Sequence, residues 1–70
     1  EELQTLLHKT INELPDQCRK VFELSRYENL TNEEISINLN MTINTVKTHI
    51  GRALKKLRET LQHYRDFLLL

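Results

Sequence analysis

Between Lys47 and Arg58 the chain carries five bases (Lys47, Arg52, Lys55, Lys56 and Arg58) and no acid. If this stretch is helical, Val46, Ile50, Ala53 and Leu57 share one side. The other side then presents Asn44, Thr45, Lys47, Thr48, Gly51, Arg52, Lys55 and Arg58. Donors arrayed this way suit a polyanion with readable edges. A helix fits the major groove of duplex DNA, where Lys and Arg donate to guanine while Asn or Thr reach bases or phosphates. Gly51 has no side chain and would let the helix backbone approach closely, although it weakens the helix. His49, Lys55 and Lys56 are assigned to phosphates on the same surface.

Other chemistries find no support. His8, His49 and His63 are too scattered for a metal site. One Cys excludes an internal disulfide framework and a thiolate zinc site, and Cys18 reads as a small buried hydrophobe. Glu33 and Glu34 are adjacent, so they diverge on a helix instead of pairing. No nucleophile, base and orienting group gather, so neither catalysis nor a cofactor is expected.

The basic segment needs elements to hold it. Leu3, Leu6, Leu7, Ile11 and Leu14 recur at helical spacing and predict a first helix. Pro15 interrupts it and suits the first turn of a second helix, predicted from Pro15 to Arg26 with Cys18, Val21, Phe22 and Ser25 inward. Thr31-Asn32-Glu33-Glu34 is a capping-box pattern opening a short helix from Asn32 to Leu39, with Ile35 and Leu39 inward and Ile37 exposed. Asn40-Met41-Thr42 breaks the chain, Asn tolerating the left-handed conformation and Thr42 capping the next helix. Val46, Ile50, Ala53, Leu57, Leu61 and Tyr64 then predict one amphipathic helix from Ile43 to Arg65. The expected fold is all-α: a small four-helix domain with a C-terminal helix-turn-helix and a long recognition helix.

Seventy residues fit one domain, 1–70, with a thin core. The first residue is Glu1 and not Met, so a piece of a longer chain is expected. No apolar run approaches the roughly 18 residues of a membrane span, and no secretory signal opens the chain. The formal net charge of zero is a cancellation. Through residue 40 eight acids face four bases; after it six bases face two acids. The acidic half is expected on the side away from DNA.

The ordered set Leu14-Pro15-x3-Arg19-x-Val21-Phe22-x-Leu24, Leu30-Thr31-x2-Glu34-Ile35, Thr45-Val46-Lys47-Thr48 and Arg52-Ala53-x3-Leu57 resembles region four of bacterial sigma factors. The likeness is to the extracytoplasmic-function type and covers about residues 5–62. It implies recognition of the −35 promoter element in double-stranded DNA by the last helix. It also implies docking on the β-subunit flap of the RNA polymerase core and, often, control by an anti-sigma factor. By position, Lys47, Thr48, Gly51 and Arg52 fall where the family meets base edges. Thr42, Asn44 and Thr45 fall where the helix N-terminus meets phosphates. Asn40, His49 and Gly51 depart from the residues common at those places, which bears on promoter preference.

Two other readings stay open at this point. Thr45 to His49 matches a Thr-Val-Lys-x-His string favoured by response-regulator output domains, although the Leu-Pro-x3-Arg opening and the Arg-Ala-x3-Leu-Arg continuation fit sigma factors better. A helical protein-interaction module with an acidic partner is the other. The apolar end, Phe67 to Leu70, is expected to fold back on the first helix as extra core, with contact to a partner or a second copy as the alternative.

Overall fold

A computed structural model describes residues 2–69. Its four helices are, in chain order, α1 Leu3–Asn12, α2 Asp16–Arg26, α3 Asn32–Leu39 and α4 Ile43–Leu68, with no strand among the described residues. At 1.5 Å per residue the 26 residues of α4 span about 39 Å. That accounts for most of the molecule's 45 Å length against 18 Å in the other two directions. α1, α2 and α3 all pack on α4, which serves as the spine.

Two apolar clusters hold the helices to that spine. Ile11, Leu14, Cys18, Phe22 and Ala53 form one, joining α1 and α2 to the middle of α4. Val21, Ile35 and Val46 form the other and are fully buried, clamping α3 between α2 and the first turns of α4. Leu24, Leu30, Leu39, Met41 and Ile50 close around it. A polar pair joins α1 to α4 farther along. The buried Thr10 hydroxyl donates to the Leu6 carbonyl at 2.9 Å, so the Thr60 hydroxyl 3.0 Å away donates to Thr10.

Local chemistry sets the joints. The Thr31 hydroxyl accepts the Glu34 N–H at 3.1 Å while the Glu34 carboxylate accepts the Thr31 N–H at 2.9 Å, completing the capping box. Asn40 adopts φ 54°, and the N–H groups of Met41 and Asn40 return to the carbonyls of Ser36 and Ile37. That is a Schellman closure with Asn in place of the usual Gly. Asn29 takes φ 56° in the α2–α3 connection, a second left-handed residue that the sequence pattern did not single out.

Three expectations are corrected. α1 stops at Asn12, and Leu14 reaches the core from the connection. Leu61 is not inward but 43% exposed, lining an open apolar groove with Leu7, Ile11, Phe22 and Leu57. The apolar end does not fold back: α4 continues past Arg65 to Leu68, and Phe67, Leu68 and Leu69 are exposed. Folding back needs a break, and Arg65-Asp66-Phe67-Leu68 contains neither Gly nor Pro while Leu favours helix. Leu70 lies outside the described residues. Ile37 is exposed as expected, at 81%.

Candidate nucleic-acid interface

The start of α4 is built by Thr42. Its hydroxyl oxygen accepts the Thr45 N–H at 3.1 Å and its proton goes to the Thr45 hydroxyl at 2.9 Å. The Thr42 carbonyl takes the Val46 N–H. A helix leaves its first four N–H groups without internal partners, and these bonds leave the N–H groups of Ile43 and Asn44 for an outside acceptor. The Thr45 hydroxyl, having accepted from Thr42, keeps its own proton free to donate. The Thr48 hydroxyl donates back to the Asn44 carbonyl at 3.0 Å, so toward solvent it offers an accepting oxygen and a methyl.

Of the ten residues singled out in the sequence, nine are exposed: Thr42, Asn44, Thr45, Lys47, Thr48, Gly51, Arg52, Lys55 and Lys56. Among the described residues the ion pairs are Arg19 with Asp16 and Arg65 with Asp66. The five bases from Lys47 to Arg58 therefore have no carboxylate partner there. They form a positive surface on a helix held rigidly from behind by Val46 and Ala53, both fully buried.

The fold divides these ten residues in a way that spacing alone does not reveal. Asn44, Lys47, Thr48, Gly51 and Lys55 lie along the outer side of α4. Arg52 and Lys56 sit at its flank, where they line a recess of about 220 Å³ with Glu13, Pro15, Cys18 and His49. Glu13 thus departs from the expected segregation of acids. His49 is half-buried, and its Nδ1 is closed off from solvent without a hydrogen-bond partner. An external acceptor can meet only its Nε2.

Beneath the recess the buried Cys18 thiol donates to the His49 carbonyl at 3.2 Å, tying α2 to the second turn of α4. Burial pushes the thiol above its ordinary value, against the opposing pull of the Arg52 guanidinium and a backbone hydrogen bond at Ala53. The sequence identified Cys18 as buried, but this bond joins residues 31 apart and left no local signal.

A capped, basic, outward-facing second helix behind a tight left-handed turn is a helix-turn-helix reader. Residues 4–57 match the family described as Sigma-70, region 4. The chain belongs to that family. The match favours the sigma-factor reading over its two alternatives. The region-four chain is similar to the RNA polymerase sigma-H factor of Pseudomonas aeruginosa, 31% identical over 62 residues. That likeness covers 89% of this chain and 32% of the relative, so the chain spans about a third of that protein's length. No solved structure matches this chain. No helix among the described residues is long and apolar enough to cross a membrane.

Proposed function

We propose that this region-four domain recognises the −35 element of bacterial promoters by laying the first half of α4 in the major groove. Lys47, Thr48 and Gly51 face base edges, and Arg52 reaches toward them from the flank of the helix. Thr42, Asn44 and Thr45 meet phosphate at the helix N-terminus, where unpaired N–H groups and the helix dipole favour an anion. Lys55, Lys56 and the Nε2 of His49 hold the flanking phosphates. The observation that carries this reading is the acid-free, unpaired basic face from Lys47 to Arg58, set on a capped helix.

The domain works in the cytoplasm, on the nucleoid, as part of RNA polymerase, with its docking partner the β-subunit flap. A surface that suits docking exists apart from the groove-reading face. Leu7, Ile11, Leu57 and Leu61 floor an almost wholly apolar groove rimmed by Arg26 and Arg58, which fits an apolar segment bearing acids. An anti-sigma factor is a further partner, competing for one of these two surfaces.

Selection of duplexes from a randomised pool by this chain, followed by methylation interference at guanine N7, tests the promoter reading. N7 lies in the major groove. The expected result is one enriched short element in which methylated guanines block binding. Recovery of unrelated sequences, or indifference to N7 methylation, would overturn it.

A further inference from the structure

Gly51 is the only glycine in the chain, and the fold gives it no reason to be one. Its φ is not in the left-handed region, so no backbone requirement selects it. A Cβ built there meets nothing within 4 Å, so no packing requirement selects it either. It stands in the interior of α4, where Gly is among the least favourable residues. It is exposed, and one turn to either side along the same face stand Lys47, Thr48 and Lys55, also exposed. The result is a notch in the recognition face with donors around it and bare helix backbone at its floor.

We propose that Gly51 is a specificity-determining residue whose missing side chain admits the C5-methyl of one thymine in the recognised element. The proposal rests on α4 being the groove-reading helix and names what that helix selects at one position. The major-groove edge of thymine is distinguished by an apolar methyl beside its O4 acceptor. Cations and hydroxyls do not reward a methyl, whereas the open space left at Gly51 gives the methyl room while neighbouring Lys donors reach O4. Thr48 supports the same choice, because its hydroxyl proton is already given to Asn44. A side chain at position 51 would occupy the methyl's place, so a Cβ and a thymine methyl should exclude each other.

The test exchanges these two groups. The parent chain and Gly51→Ala are titrated against the duplex selected by the parent, and against derivatives in which each thymine in turn becomes deoxyuridine. At one thymine, loss of the methyl should weaken the parent about fourfold, the fold-change a buried methyl is worth. Gly51→Ala should bind the thymine duplex roughly tenfold more weakly than the parent. On the deoxyuridine derivative at that position it should recover to within about twofold of the parent on thymine. The same variant should melt about 4–8 °C higher, since Ala replaces Gly in an unobstructed helix, and this excludes misfolding as the cause of weaker binding.

Equal binding by the two proteins would overturn the proposal, and so would a loss that no deoxyuridine derivative relieves. These results leave the parent's sequence preference intact. Failure of the parent to select any duplex at low salt is a different outcome, which removes the promoter reading and this proposal with it.

Discussion

Replacing Ile35 by Ala should remove a large part of the domain's stability, while the same change at Ile37, two residues away, should do almost nothing. Ile35 is fully buried between Val21 of α2 and Val46 of α4, and Ile37 is 81% exposed on the same eight-residue helix. Truncating a buried Ile costs about 2–5 kcal/mol from lost transfer energy and the cavity left behind. A domain of 70 residues has about 3.5–10 kcal/mol to lose. Ile35→Val should cost only about 0.5–1.5 kcal/mol, and Ile37→Ala should stay within about 0.5 kcal/mol of the parent. Urea unfolding followed by helical circular dichroism reads all three. DNA affinity of Ile35→Ala should fall in step with its unfolded fraction and return when a stabilising osmolyte refolds it. A cost below about 1 kcal/mol for Ile35→Ala, or an equal cost at Ile37, would refute the claim that this cluster clamps α3 to α4.

Arg52→Ala should cost about 1–3 kcal/mol of binding and relax preference at one base pair, read by competition among single-base variants of the selected duplex. Equal losses on every sequence would make Arg52 a phosphate contact. Lys55→Ala should weaken all duplexes alike and shallow the salt slope by about one unit, and an unchanged slope counts against it. Thr31→Ala removes the hydroxyl that accepts the Glu34 N–H, while the residue 31 N–H can still donate to the Glu34 carboxylate, and should destabilise the domain by about 1 kcal/mol in a urea melt. The Cys18 thiol is raised above its ordinary value by burial, so the unfolded chain ionises first as pH climbs. Its contribution is complete below the ordinary thiol value and is lost as pH rises through the folded value. Stability of the parent relative to Cys18→Ala should therefore decline on the alkaline side, and a constant difference would contradict this.

Much of the helical scaffold was legible because its signals are local. The capping box at Thr31 and Glu34, the left-handed Asn40 and the Thr42 cap each need only a few consecutive residues. The inward run Val46, Ile50, Ala53 and Leu57 similarly fixes which side of α4 faces out. What escaped was decided at long range. The Thr10–Thr60 bond joins residues 50 apart, and a Thr inside an apolar stripe gives no hint of its partner. The division of the site between the outer side and the recess at Arg52, His49 and Lys56 depends on where the α1–α2 connection settles against α4. Periodicity also continues through Leu61, although that residue looks onto an open groove and stays 43% exposed.

The most direct measurement of the central claim is titration of a fluorescent duplex bearing the selected element, beside a scrambled duplex, at several salt concentrations. If Lys47, Arg52, Lys55 and Lys56 meet DNA as proposed, log affinity should fall against log salt with a slope of about −2 to −4. The selected duplex should also stay the tighter of the two throughout. A salt-independent affinity, or equal affinity for both duplexes at every salt, would contradict groove recognition by α4.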